Sequence, residues 1–391
     1  MGHVHILIAP DGFTGSLTAG QAAEAIAQGW RESAPGDTLT LMPLSDGGPG
    51  FIDVLSRALG GTTVSVTVGD PLGRPVPAVI LMVERDGGRT AYIESAQACG
   101  LHLLAKEERD PRVTSTYGVG QLLEAAVAGG ATRVVLGLGG SGTNDGGAGL
   151  LAALGAGDLE SMAGGGAALK DVGDDALAGL KAVRERMRDI DLVLATDVDS
   201  PLLGLKGASA IFGPQKGATP EMAQELESAL GRFTEVVRKV LPPEKDLLTG
   251  KAVRLDRQPG AGAAGGLGYG LLLLGGRRVS GVQAVLDAVG FDALVEASDL
   301  VVTGEGSFDW QSLRGKVVAG VAKAAFARGK PTIVIAGQSF VGRREAMAIG
   351  INGTYAVAAN PGQVEAAMAD PAGTLSARTT RVATTWSPRQ P

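Results

Sequence analysis

The stretch Arg133–Gly149, R-V-V-L-G-L-G-G-S-G-T-N-D-G-G-A-G, leaves this chain few ways to fold. Val134, Val135, Leu136 and Leu138 form the apolar run of a buried strand, which breaks into a glycine-rich turn carrying Ser141, Thr143, Asn144 and Asp145. Ala148, Leu150, Leu151 and Leu154 then predict a helix. Strand, glycine turn and helix in succession is how α/β proteins present backbone N–H groups to a phosphate. Gly137, Gly139 and Gly142 satisfy G-x-G-x-x-G, but a dinucleotide site also needs an acidic residue about 20 positions on, ending a second strand. Asp158 and Glu160 have no strand before them. The carboxylate lies inside the turn instead, at Asp145. A carboxylate beside a phosphate is unfavourable without a cation between them, so a magnesium–nucleotide fits better. The alternative is a tight turn whose glycines allow close packing, with Asp145 capping the helix.

The same pattern recurs along the chain. His3–Ala9 predicts a strand, followed by the loop Pro10–Ser16, and Thr18-x-x-Gln21 is a capping box opening a helix to about Glu32. Thr38–Pro43 predicts a second strand ending in Leu44-Ser45-Asp46-Gly47-Gly48-Pro49-Gly50. A helix over Phe51–Leu59 and a strand over Thr62–Val68 follow. The first 70 residues thus read βαβαβ, the pattern of a parallel sheet covered by helices, in which ligands sit at the carboxyl ends of strands. Asp11 and Asp46 fall at such ends. The break at Asp70–Pro75 predicts a domain crossing, and Arg85-Asp86-Gly87-Gly88 a hairpin. Gly155–Gly179 reads as loops. Asp191–Ala195 predicts a strand ending in Thr196-Asp197-Val198-Asp199-Ser200-Pro201, and Thr219-Pro220-Glu221 opens a long helix. Pro259–Gly270 is a second glycine-rich turn, for a ligand or for close packing. From Val282 the βα pattern resumes: Asp299–Thr303 predicts a strand ending in Gly304-Glu305-Gly306-Ser307-Phe308-Asp309, and Arg314-Gly315-Lys316 opens the next helix. The expected organisation is one parallel sheet from residues 1–70 and 283–375, an inserted α/β domain over 71–282, and a loosely held tail over 376–391. Asp11, Asp46, Glu305 and Asp309 then line one sheet edge, facing the inserted domain across a cleft.

Composition excludes several classes. No apolar stretch reaches the ~18 residues of a membrane helix, and the start M-G-H-V-H-I-L-I lacks the charged opening and apolar core of a signal peptide. A single cysteine, Cys99, allows no internal disulfide, so a cytoplasmic location is expected. Three histidines are too few and too scattered for a histidine-rich metal site, and the net charge of −6 without a basic run argues against nucleic acid. No G-x-x-x-x-G-K-[ST], zinc spacing or G-x-S-x-G elbow occurs. What remains is acidic residues at strand ends, phosphate-suited turns and isolated lysines beside glycine. That set suits phosphoryl transfer, where two anions are oriented, Mg²⁺ is held and a hydroxyl proton is accepted.

The motifs, taken in order, resemble the class I glycerate kinases. Ala9–Ser16 matches that family's A-P-D-S-F-K-G-S, Ser45–Phe51 its A-D-G-G-E-G-T, and Gly139–Gly147 its G-G-S-x-T-N-D-G-G in full. Thr196–Leu202 is similar to its C-D-V-D-N-P-L, Phe212–Ala218 to its F-G-P-Q-K-G-A, Gly260–Gly266 to its G-A-G-A-A-G-G, and Thr303–Lys316 to its T-G-E-G-x-x-D-x-Q-[ST]-x-x-G-K. The resemblance implies a flavodoxin-like parallel-sheet domain interrupted by a second, inserted α/β domain. It also implies transfer from ATP to D-glycerate, usually at the 2-hydroxyl. Thr14 stands in place of the family's lysine, Gly12 of its serine and Pro49 of its glutamate; Arg314 or Lys316 supplies the missing charge, or the acceptor is a different hydroxy acid. A relative that binds a small carboxylate or nucleotide without turnover is the remaining alternative.

Within this reading Gly139, Gly140, Ser141, Thr143, Asn144, Asp145 and Lys216 hold ATP, while Asp145 and Asp199 reach Mg²⁺. Asp11, Ser16, Asp46, Glu305, Asp309 and Arg314 bind the acceptor. The candidate bases are Asp11, Asp46, Asp197, Asp199, Glu305 and Asp309. Asp197 is preferred because it ends a buried strand in the same inserted domain as the nucleotide turn, with Lys316 neutralising the transferred phosphoryl group. An Asx turn at a strand end is the plainer account of Asp197.

Overall fold

Five parallel strands form the sheet of the first unit, in the order Ile351–Ala356, Thr332–Ala336, Leu300–Thr303, His5–Ile8, Thr38–Leu41. The coordinates are a computed structural model that describes residues 4–13, 15–85, 87–245 and 250–387. Strands Leu300–Thr303 and Thr332–Ala336 are buried along their whole length, which explains their unbroken β-branched runs: both faces of a parallel sheet are covered. Numbered along the unit, the strand order is 2-1-3-4-5, the flavodoxin-like order. Its direction of winding reverses between His5–Ile8 and Leu300–Thr303, the place where such sheets bind ligands beyond the strand ends.

The first helix, Ala19–Ser33, is opened by the expected box: the Thr18 hydroxyl accepts the Gln21 N–H and the Gln21 carboxamide accepts the Thr18 N–H. Helix Pro371–Trp386 packs against it. At the crossing, a Cβ on Gly29 would lie 2.1 Å from the Ser376 carbonyl oxygen, so only glycine permits the approach. The expectation of a loose tail over 376–391 is therefore corrected as far as residue 387; residues 388–391 lie outside the described residues. Asp370 caps this helix, Pro371 occupies its first turn, and Leu375, Val382 and Ala383 are buried. Threonine hydroxyls on its polar side bond back to helix carbonyls, as Thr384 does to Thr380.

The second unit holds a six-stranded mixed sheet, in the order Thr62–Gly69, Pro75–Arg85, Gly88–Glu94, Arg133–Gly137, Asp191–Ala195, Arg277–Val279. The last four strands are mutually parallel and the first two pairings antiparallel. Thr62–Gly69 thus belongs to this sheet and not to the first one. The reason is local. Asp70 accepts the backbone N–H groups of Leu72 and Arg74 through one oxygen, Gly73 takes φ +80°, and the chain doubles back as a hairpin where a domain crossing was expected. The chain divides into Met1–Asp46, Asp53–Leu59 and Val282–Pro391 on one side, and Gly47–Ile52 and Gly60–Gly281 on the other. The Gly155–Gly179 stretch, expected as loops, contains short helices at Leu159–Met162 and Gly166–Asp171.

Candidate active site

In the first unit, the loops leaving the two central strands bring Asp11 and Glu305 to the point where the sheet reverses. The Asp11 N–H donates to the Gly304 carbonyl at 2.8 Å, tying the loops together. Burial pushes the Asp11 carboxyl up to about 8, helped by the charges of Asp46 and Glu305; the Gly12 N–H and Lys316 oppose the shift. Glu305 is 5% exposed, and burial raises it too, against a hydrogen bond from Ser312 and the charge of Lys316. Its Oε1 is buried with no hydrogen-bond partner. An orphaned buried acceptor is costly unless a ligand donates to it. Lys316 is half-buried at the start of helix Val317–Ala327 and is the cation that both Asp11 and Glu305 sense. Arg314, two residues earlier, is exposed.

Two predicted acceptor residues serve the loops themselves. The Ser16 hydroxyl donates to the Phe13 carbonyl at 2.9 Å. Asp309 accepts the Gln311 N–H at 2.7 Å while its own N–H donates to the Ser312 hydroxyl, which makes it a turn brace. Thr14 lies outside the described residues.

In the second unit, the glycine turn follows strand Arg133–Gly137. Gly139 and Gly140 are its accessible part, and Ser141–Gly147 is buried. Gly139 has to be glycine because a Cβ there would sit 2.4 Å from the Gly48 Cα, and its N–H donates to the Gly47 carbonyl at 3.1 Å. Among the described residues, the N–H groups of Gly140 and Ser141 donate to no backbone carbonyl. The helix that follows, Ala148–Ala153, is one and a half turns long, so any anion here is held by the turn and not by a helix dipole.

Asp145 is completely buried, and four donors converge on it. Oδ2 accepts the Thr116 N–H (2.8 Å), the Thr116 hydroxyl (2.8 Å) and the Gly149 N–H (3.2 Å); Oδ1 accepts the Gly147 N–H (3.1 Å). Burial nevertheless raises its pKa. The expected route from Asp145 to Mg²⁺ is corrected: the carboxylate is enclosed and braces the turn from inside, which is the helix-cap alternative carried further. Lys216 is corrected likewise. It is 1% exposed, its Nζ donates to the Thr143 carbonyl at 2.6 Å, and burial lowers it to about 8. Asn144 and Thr143 are equally buried, the Asn144 amide donating to the Ser209 hydroxyl at 2.9 Å. Thr143, Asn144 and Lys216 thus form the turn's support, and Gly139 and Gly140 are left as its accessible part. The second glycine-rich segment locks against the same turn: Ala264, Gly265 and Gly266 all have positive φ, and a Cβ on Gly265 would lie 1.9 Å from the Thr143 carbonyl oxygen. Close packing is the role of that segment.

The neighbouring strand Asp191–Ala195 pairs with Arg133–Gly137, Ala195 opposite Gly137, so the loops leaving both strands emerge side by side. Asp197 is half-buried in the second loop. Asp199 is 78% exposed and ion-paired with Arg278 at 2.7 Å, a partner that competes with its predicted metal role. Among the described residues no cluster of three or more histidine, cysteine or acidic side chains is arranged to hold a metal. Magnesium–nucleotide sites need only one or two carboxylates beside the phosphate oxygens. Sequence reasoning missed Glu94, a buried carboxylate at a strand end, whose Oε2 accepts the N–H groups of Gly50 (3.1 Å) and Ile52 (3.2 Å). Only its position at the end of an apolar strand could have flagged it. Thr116, the main anchor of Asp145, carries no motif signal.

Comparison with known proteins fixes the family. A sequence profile described as the glycerate kinase family matches residues 6–387. The chain belongs to the glycerate kinase family. It is 41% identical over 390 residues to a glycerate kinase of Halalkalibacterium halodurans, covering 98% of each chain. It is 41% identical over 338 residues to the glycerate 2-kinase of Escherichia coli K12, covering 85% of this chain and 84% of that one. A solved structure from Salmonella typhimurium LT2, assigned as glycerate kinase 2, superposes with a TM-score of 0.76 at 35% identity over 98% of both chains. The mixed α/β architecture with mostly parallel strands is thus that of a glycerate kinase family member. No helix among the described residues is long and apolar enough to cross a membrane.

Proposed function

We propose that this chain phosphorylates D-glycerate from Mg²⁺–ATP at the 2-hydroxyl. The observation that carries the reading is the carboxylate set beyond the sheet's reversal point: Asp11 pushed up to about 8, and Glu305 with a buried oxygen lacking a donor, both beside Lys316. An alcohol is the donor such a pair accepts. Glu305 orients the hydroxyl through Oε1. Asp11 takes its proton, because a base titrating near the working pH combines availability with driving force. Lys316 offsets the charge that develops on the transferred phosphoryl group. ATP supplies that group when bound; the Gly139–Ser141 backbone would hold its phosphates and Asp197 would hold Mg²⁺. The base assignment thereby moves from Asp197 to Asp11.

Thr14 makes the acceptor the point to test. A coupled ADP-release assay over D-glycerate, L-glycerate, glycolate and lactate is expected to give turnover with D-glycerate at least tenfold above the others. ADP release no faster than with water alone would remove the kinase reading; faster turnover on another acid would redirect it to that acid.

A further inference from the structure

The second unit contains an open cavity of about 560 Å³, solvent at its mouth included, and none of its lining residues takes part in the proposed reaction. We propose that it is a binding site for a small organic anion with an apolar body, held chiefly by Arg238 and Arg184.

The walls are apolar: Val237, Leu241, Pro242, Val253, Leu255 and Leu273 line it, with the buried Tyr269 beside them. Among these surfaces stand three guanidinium groups, those of Arg184, Arg238 and Arg254, against two carboxylates, Asp256 and Glu244. The charges are unequally matched. Arg254 makes a two-pronged pair with Asp256, at 2.9 Å through Nε and 2.7 Å through its terminal nitrogen. Asp256 is 6% exposed, and both of its oxygens are taken by Arg254. Arg238 is left with a long 3.5 Å contact to the same carboxylate and a 3.2 Å bond to the Thr234 hydroxyl, and its Nε is buried with no acceptor. Arg184 donates to the Leu273 carbonyl at 2.9 Å and lies 3.7 Å from Glu244, which is 81% exposed. The cavity therefore offers two under-paired cations over an apolar floor, one with a buried donor facing no acceptor. A planar guanidinium in this state takes a carboxylate or phosphate oxygen, while the apolar walls favour a ring or short chain over a bare inorganic ion.

The floor is also continuous with the Thr196–Leu202 loop. The Asp256 carbonyl accepts the Leu202 N–H at 2.9 Å, and the Gly262 N–H donates to the Ser200 carbonyl at 2.9 Å. A ligand seated against Leu255 and Tyr269 therefore adjoins residues that hold the far end of that loop.

Calorimetric titration of the full chain with benzoate, and with benzamide as its uncharged counterpart, tests the proposal. Benzoate is expected to bind at one saturable site and benzamide far more weakly. Arg238→Gln removes the cation but leaves Asp256 paired with Arg254, and should weaken benzoate roughly 10- to 100-fold, the loss of one charge-assisted bond. Val253→Trp fills the cavity while leaving every arginine in place and should abolish binding. It decides the matter alone if Arg238→Gln does not fold. Equal binding of benzoate and benzamide, benzoate binding that survives Val253→Trp, or no heat from the parent at several millimolar benzoate would each overturn the proposal. Survival in Val253→Trp would assign the heat to the acceptor site.

Discussion

Asp11→Asn is expected to lower kcat with D-glycerate by about 10²–10⁴-fold, the range for loss of a general base, with little change in the Michaelis constant for ATP. The pH dependence provides a second signature. A carboxyl raised to about 8 by burial and by its acidic neighbours is mostly protonated at pH 7, and only its ionised form accepts the substrate proton. In the parent, kcat/KM should rise about tenfold per pH unit below 8 and level off above it; in Asp11→Asn this limb should vanish. Asp197→Asn should instead weaken Mg²⁺–ATP while keeping the limb. The reverse outcome, with Asp197→Asn losing both turnover and limb, would return the base to Asp197.

Asp145→Ala should cost stability before it costs chemistry. The substitution strands the Thr116 N–H and hydroxyl and the N–H groups of Gly147 and Gly149, all in the interior. Each unsatisfied buried donor costs about 1–3 kcal/mol. Partial relaxation leaves a net loss of about 3–5 kcal/mol, comparable to breaking a buried ion pair. For a body of this size that lowers an unfolding midpoint by on the order of 10 °C, to be read by scanning calorimetry. A shift of a degree or two, with Mg²⁺–ATP affinity lost, would restore Asp145 as a metal ligand.

These two residues mark what a sequence can and cannot carry. Asp11 and Glu305 were legible because both follow short buried strands, and the ends of parallel strands are where such sheets place ligands. The adjacency of those strands was not legible in the same sense: Ile6 pairs with Leu300 across most of the chain, and no local pattern records it. Asp145 read as a ligand because a carboxylate inside a phosphate-suited turn calls for a cation, and Lys216 because it stands in the Phe212–Ala218 motif. Their burial depends on Thr116 and on the Thr143 carbonyl, partners supplied by tertiary packing. The hairpin at Asp70–Arg74 was misread because proline and glycine punctuate hairpins and domain crossings alike. The C-terminal helix was missed because its threonines conceal a narrow apolar stripe of Leu375, Val382 and Ala383.

The most direct test of the account is the identity of the product. Purified protein, Mg²⁺–ATP and D-glycerate should give one equivalent of ADP per equivalent of a single new phosphate ester. Its ³¹P resonance should couple to the C2 proton, identifying 2-phosphoglycerate. An ester coupled to the C3 protons would contradict the 2-hydroxyl assignment, and the absence of any phosphorylated glycerate under saturating substrates would contradict the function itself.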